Sequence, residues 1–214
     1  VMNYRFRGAC VGFIALENLT ATQFDSILAL QRAQYPDEVN YGLQNLLGSH
    51  DTERYLTLCN GDDDKVKLSI LFQMTYLGPP MMYYGDEIGM EGGKDPDCRR
   101  TMVWDSTKWN TGILEWEKRL VNIRNENPVL RNGDFRTVLV NNNSKVYGFL
   151  RTNETTKALV ILNNKSVPEE VSSNTLPMMS ESWYDVLNNA AVDKGAKALI
   201  IPPRSGIILV AQKR

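Results

Sequence analysis

At 214 residues the chain has room for one large domain or two modest ones, and its 43% hydrophobic and 23% charged residues are ordinary for a soluble globular protein. The 24 basic and 25 acidic side chains leave a net charge of −1. With no basic face along the chain, this removes the electrostatic case for nucleic acid and favours neutral or weakly polar ligands. The longest apolar stretch, "LSILFQMTYLGPPMMYYG", is broken by Gln73, Thr75 and two prolines, so no membrane span is expected.

The chain opens on "VMNYRFRG", which reads as the end of a strand. Position 1 is not an initiator methionine, and no basic segment with an apolar core follows. The expectation is therefore a chain cut from something longer, without a signal peptide. Thr22 with Asp25 resembles a capping box, and Phe24, Ile27, Leu28 and Gln31 carry a helical period that stops near Tyr35-Pro36. "LQNLLGS" suits a buried parallel strand. "GDDDKVKLSILFQMTYLG" predicts a helix, with Asp62, Asp63 and Asp64 as capping acids. Those acids lack the spacing of an EF-hand calcium loop.

"PPMMYYGDEIGM" reads as another buried strand, ending in a Gly-rich loop that runs to about Asn110. "GILEWEKRLVNIRNENP" then predicts a helix with Ile113, Trp116, Leu120 and Ile123 on one face and Pro128 as its stop. Helix, strand, helix, strand, long loop, helix is the order of βα units, with functional residues gathered after the strands. From about Arg136 the order changes. "RTVLVNN", "KVYGFLRT", "KALVILNN", "SWYDVL", "KALIIPP" and "GIILVAQ" are short β-rich runs separated by turn residues, which argues for an antiparallel β-sandwich. A boundary near residues 128–135 divides the chain into parts 1–132 and 133–214.

Cys10, Cys59 and Cys98 are odd in number, far apart and without CxxC spacing. Neither a disulfide framework nor a zinc site is expected, but buried thiols in a reducing, cytoplasmic compartment. Chemistry concentrates after the two predicted strands. "LLGS" leads to His50, the one histidine of the chain, and Asp51; "MMYY" leads to Gly85, Asp86 and Glu87. The adjoining loops add Arg54, Asp95, Asp97, Arg99 and Arg100. Carboxylates and guanidinium groups bond to hydroxyls, and aromatic faces cover sugar rings, so the set suits a polyhydroxylated substrate. Each residue alone is equally at home in a structural role at a strand end. Ser49 is a sequence neighbour of His50 and not a positioned triad partner; there is no GxSxG elbow and no phosphate-cradling glycine loop. No metal and no cofactor is expected.

"LLGSHDTERYLTL" followed by "YLGPPMMYYGDEIGMEGGKDPDCRRTMVWD" resembles the alpha-amylase family of glycoside hydrolases, within it the neopullulanase, cyclomaltodextrinase and maltogenic amylase group. "VMNYRFR" also looks like that group's sixth barrel strand. The resemblance covers the whole chain, most weakly in the β-rich tail. It implies the C-terminal part of a (β/α)8 TIM barrel, strands six to eight, followed by the family's antiparallel β-sandwich C-terminal domain. It also implies retaining hydrolysis of α-1,4 or α-1,6 glucosidic bonds in cyclodextrin, pullulan or starch, in which nucleophile and acid/base carboxyls stand about 5 Å apart.

On the family pattern Asp51 is the third acid, which stabilises the transition state. His50 donates to hydroxyls of the sugar in the cleavage subsite, Arg54 orients neighbouring carboxylates, and Asp95 and Arg99 hold the next sugar. Thr101 stands where a proline is usual. The nucleophilic aspartate of a GxRxD segment and the acid/base glutamate are absent from these 214 residues. Asp51 with Glu87 or Asp86 as a substitute pair conflicts with the roles the family gives those positions. Three readings follow: a C-terminal fragment of an α-glucan hydrolase, inactive alone; a carbohydrate-binding or interaction module; or one piece of a split enzyme, active with the missing N-terminal half. Open edges of a partial barrel further predict self-association of the fragment.

Overall fold

The computed structural model describes residues 1–177 and 181–212. Its first residues form one parallel bridge, Met2 to Gln44, and turn at once into helix α1 (Tyr4–Cys10). The strand reading of "VMNYRFRG" therefore holds only to Met2. Asn3 ends it by accepting the Phe6 amide at 3.1 Å, an N-cap that starts the helix. A five-residue π-helix, Val11–Ala15, continues α1.

Helix α2 (Ala21–Ala33) does carry a capping box, but it is formed by Thr20 and Gln23. Thr22 and Asp25, which fit the same spacing two residues later, are used across the molecule. Thr22 donates its amide and hydroxyl to Asn142, and Asp25 accepts from the hydroxyls of Thr137 and Tyr147 at 2.6 and 3.0 Å. Helix α3 (Asp37–Gly42) follows Pro36, and β1 (Asn45–Leu46) comes next. After the short α4 (Tyr55–Leu58), α5 (Asp63–Thr75) begins on Asp62, whose carboxylate accepts the amides of Asp64 and Lys65. Of the acids of "GDDDK", Asp62 is the capping group, and Asp63 and Asp64 lie in the first turn, where Asp63 accepts from Asn110. From Leu68 to Thr75 every residue of α5 is buried, the mark of a helix covered on all sides.

Strand β2 (Pro80–Met81) pairs with β1 in parallel, Asn45 opposite Pro80 and Leu46 opposite Met81. The long loop then reaches α6 (Thr111–Glu126), capped by Asn110 on the Ile113 amide, and α7 (Val129–Asn132). Parallel pairing between helices agrees with the βα reading of the first half.

The remaining strands are β3 (Asp134–Asn141), β4 (Val146–Thr152), β5 (Thr156–Asn163), β6 (Glu169–Ser172), β7 (Tyr184–Asp185), β8 (Ala190–Ala191), β9 (Ala198–Ile201) and β10 (Ser205–Gln212). They form one antiparallel sheet in the order β3-β4-β5-β10-β7-β8 and a second sheet of β6 with β9. The sequence reading missed β6 and β8: one is largely acidic and polar, the other a pair of exposed alanines. Neither has a hydrophobic alternation to reveal it.

The central strands of the larger sheet, β4, β5 and β10, are buried on both faces. Along β5, Leu159 and Ile161 join the core under β6 and β9, while Ala158, Val160 and Leu162 join the core of the helices. Strand β10 alternates in the same way, with Ile208 toward the helices and Ile207 and Leu209 toward the second sheet. The sandwich therefore does not close on itself: its outer face is also the floor on which α2, α5 and α7 pack. Aromatic rings cross this junction, with Phe72 edge-on to Tyr147 and Phe149, and Phe24 edge-on to Tyr147.

Two buried arginines complete the seam. Arg124 of α6 donates to the carbonyls of Met74, Gly78 and Leu130. Arg151 of β4 donates to those of Thr75, Leu130, Gly133 and Asp134. The carbonyls at the end of α5 have no partner within their own helix, and these guanidinium groups supply one.

Candidate functional site

The segment leaving β1 carries the site. A side chain at Gly48 would displace Asp86: a Cβ at this position would lie 2.1 Å from Asp86 Oδ2, delivered by the neighbouring loop after β2. Ser49 is buried and acts as a local bracket, its hydroxyl accepting the Asp51 amide at 3.2 Å and lying 3.2 Å from Thr52 Oγ1. His50 and Asp51 then stand at the carboxyl end of the parallel strands, each with about half its side chain in solvent (54% for both).

Four side chains converge on or beside the Asp51 carboxylate. Its Oδ1 lies 3.2 Å from His50 Nε2 and 3.5 Å from Arg99 Nη2. Its Oδ2 accepts from the Tyr4 hydroxyl at 3.2 Å. Arg99 is held in turn by Asp95, Nε to Oδ1 at 2.7 Å. The result is an open row of alternating charge, Asp95, Arg99, Asp51, with an imidazole and a phenol at one end. Exposed ion pairs of this kind add about 0–1 kcal/mol of stability. These groups can therefore exchange one another for ligand hydroxyls at little cost. His50, Asp51, Asp95 and Arg99 are thus brought together as the sequence led us to expect.

Arg54 is not part of this row. It is fully buried, its guanidinium donating to the Tyr84 carbonyl and to Asp86 Oδ1, the latter at 2.9 Å, and lying 4.2 Å from the centre of the Tyr83 ring. It orients the carboxylate of Asp86, not that of Asp51, and has no surface with which to touch a sugar. Burial pushes Asp86 up to about 6, against the opposing pull of Arg54. Burial likewise pushes Glu117 of α6 up to about 7, with the charges of Glu87 and Asp86 adding to it. Tyr84 serves the loop, donating to the Arg100 carbonyl at 2.7 Å, and Asp97 is closed onto Arg100.

Tyr4 is the site residue that sequence reasoning missed. Read as strand, "MNY" gave the phenol no direction; as the first residue of a helix it reaches the tip of Asp51. Cys98 was also missed as a contact: its buried thiol donates to the His50 carbonyl at 3.3 Å and ties the two loops together. Among the described residues no group of three or more His, Cys, Asp or Glu side chains could hold a metal ion. No helix there is long and apolar enough to cross a membrane.

Parallel strands thus end in an acid-arginine row, backed by an antiparallel sheet domain. Residues 1–149 match the family model "Alpha amylase, catalytic domain", and residues 137–212 match "Alpha amylase, C-terminal all-beta domain". The chain belongs to the alpha-amylase family of glycoside hydrolases. It is 41% identical over 211 residues to neopullulanase 2 of Thermoactinomyces vulgaris, covering 98% of this chain and 36% of that protein. It is 40% identical over 209 residues to a cyclomaltodextrinase of Thermoanaerobacter pseudethanolicus, covering 98% and 35%. The cyclic alpha-maltosyl-(1→6)-maltose hydrolase of Arthrobacter globiformis superposes with a TM-score of 0.85 at 29% identity, over 99% of this chain and 44% of that one. That hydrolase is also known in complex with its cyclic substrate and with maltose. The chain spans about a third of the length of the curated relatives.

Proposed function

We propose that this chain forms the sugar-holding rim of a retaining α-glucan hydrolase of the neopullulanase and cyclomaltodextrinase type, with residues 1–132 as the barrel portion and 133–214 as the β domain. In this reading Asp51 stabilises the transition state by bonding hydroxyls of the sugar being cleaved. His50 donates to the same sugar, Arg99 and Asp95 hold the next one, and Arg54 acts at one remove through Asp86. The observation that carries the reading is the contact row itself, in which Asp51 is met by an imidazole, a phenol and a guanidinium while half of it stays open to ligand.

Retaining cleavage needs two carboxyls about 5 Å apart, one attacking and one donating a proton. The side chain closest to Asp51 on the loop after β2 is a cation, Arg99, which suits charge stabilisation and not attack. The chain alone therefore binds α-glucan oligosaccharide or cyclodextrin without cutting it, and an N-terminal half bearing the nucleophile and acid/base would complete the enzyme. Its three buried thiols suit a reducing, cytoplasmic compartment.

Calorimetry with maltotriose tests the binding claim. The chain should give saturable heat, and Asp51→Asn should weaken binding about tenfold or more, since a hydrogen bond to a charged group contributes about 1.5–3 kcal/mol. The melting temperature should stay within about 2 °C, because the replaced pairs are exposed. No heat at millimolar sugar, or release of reducing ends from starch by the unaided chain, would overturn the reading.

The parallel strands carry a second consequence. Met82, which follows β2 at the flank of this small parallel sheet, is 53% exposed, and unpaired strand edges recruit other strands. Sedimentation should reveal concentration-dependent association; a monomer at every concentration would count against it.

A further inference from the structure

Helix α1 delivers two side chains, one turn apart, to the loop that bears His50 and Asp51. Tyr4 meets the carboxylate itself. Arg7, on the same face of the helix, reaches the backbone instead. Its Nε donates to the Leu47 carbonyl at 2.8 Å, and its Nη2 donates to the Glu53 carbonyl at 3.2 Å. Those two carbonyls flank residues 48–52, so a single guanidinium fastens both ends of the loop that holds the acid.

The choice of residue is informative. Among the described residues no carboxylate lies within ion-pair distance of Arg7, and burial pulls its basicity down. Taking a guanidinium partly out of water without a directly paired carboxylate is costly, and the charges of Glu53 and Asp86 offset burial only in part. What it offers in return is geometry: a rigid planar fork presents separate donors in fixed directions to two carbonyls, whereas an ammonium is a point charge on a flexible stem. The opposite side of the loop is held independently. Cys98 donates to the His50 carbonyl at 3.3 Å, and the Arg54 amide donates to the Gly92 carbonyl at 2.9 Å. With both sides fixed, the backbone at Asp51 has little freedom, and the direction of its carboxylate is set before any ligand arrives.

We infer that Arg7 is a positioning residue for Asp51, fixing the acid's loop at both ends so that the carboxylate points into the sugar-binding row. This rests on the reading of Asp51 as a sugar-contacting acid, but it concerns the loop and can be tested apart from sugar. His50 is the one histidine of the chain, so its ring Hε1 proton gives a single, self-assigned NMR signal at the centre of the loop.

In Arg7→Met, that signal should shift or broaden, and amide exchange across residues 49–53 should accelerate about tenfold or more, while amides of α5 exchange as in the parent. Maltotriose binding should weaken about tenfold. Arg7→Lys, which keeps the charge but loses the rigid fork, should fall between the two, and it decides the matter if Arg7→Met does not fold. A merely structural role would lower the melting temperature without moving the histidine signal of the folded protein. A superimposable His50 signal together with loop exchange within twofold of the parent overturns the proposal. If the parent binds no maltotriose, the sugar reading falls, and the histidine and exchange measurements still decide whether Arg7 holds the loop.

Discussion

Arg151→Met should lower the melting temperature by about 10 °C, the largest stability loss we expect from one surface-remote substitution. The side chain is fully buried and donates to four carbonyls, those of Thr75, Leu130, Gly133 and Asp134, at 2.7–2.9 Å. Thr75 ends α5, Leu130 lies in α7 and Asp134 opens β3, so the four belong to three separate elements that meet at the seam. Methionine fills the volume but takes a donor from all four carbonyls; Leu130 keeps Arg124 and Gly133 keeps the Tyr41 hydroxyl, while each buried acceptor left unpaired costs about 1–3 kcal/mol. Removing a buried guanidinium relieves its own desolvation, which burial expresses by pulling Arg151 down to about 10. The net loss should be about 3–4 kcal/mol, and each kcal/mol moves a domain of this size by about 2–4 °C. Thermal unfolding followed by circular dichroism checks this. A shift under about 2 °C would mean that the seam repacks around the missing donors.

Glu17→Gln should destabilise the folded chain at neutral pH, with a difference from the parent that fades in acid. Glu17 accepts from Lys65 at 3.0 Å, from Lys145 at 2.7 Å and from Arg204 at 2.7 Å. Lys65 belongs to α5, Lys145 to the β3–β4 turn and Arg204 to the β9–β10 connection between the two sheets, so one carboxylate joins a helix to two turns of the β domain. Glu17, Lys145 and Arg204 all adopt left-handed backbone, with φ of 53°, 50° and 45°, a conformation disfavoured for residues with a Cβ and retained where the surroundings impose it. Burial alone would raise the Glu17 carboxyl, but the hydrogen bonds from its three cations together outweigh burial and bring it from 4.5 down to about 2.

A carboxyl depressed on folding stabilises the native state above its unfolded pKa and loses that contribution as pH falls toward the folded one. The window here is from about 4.5 down to about 2. Integrated, the shift corresponds to about 3–4 kcal/mol, which solvent screening of this partly exposed carboxylate reduces to about 2–3 kcal/mol. The variant should therefore melt about 4–10 °C below the parent at pH 7. The gap should shrink steadily below pH 4.5, because only the parent has a carboxylate to protonate. A gap that persists undiminished to pH 2.5 would show that the three cations are held by other means.

The sequence was most legible where local rules act alone. Asp62 opens a helix because a carboxylate satisfies free amides wherever the chain continues helically, and Asn110 does the same for α6. The order of helices and strands was readable for the same reason, as was the clustering of His50, Asp51, Asp95 and Arg99 after the strands. It failed where two local solutions compete. Thr20 with Gln23 and Thr22 with Asp25 present the same spacing, and the choice between them was made by Asn142, Thr137 and Tyr147, more than a hundred residues away. Tyr4 escaped because its direction depends on whether the backbone is strand or helix.

By itself the sequence determined the succession of elements, the family resemblance and the residue types gathered at the strand ends, all of which are encoded in local spacing. Only the tertiary structure decided which of them touch. Arg54 and Arg99 are both arginines on site loops, and nothing in their spacing separates them. Folding buries one beneath Tyr83 against Asp86 and leaves the other at the surface beside Asp51. Likewise the continuous apolar runs of β5 and β10 announced buried strands but not that their second face would be covered by α5 and its neighbours. Burial is a property of what packs on a side chain from elsewhere in the chain, and a one-dimensional pattern records only that cover is needed, not what provides it.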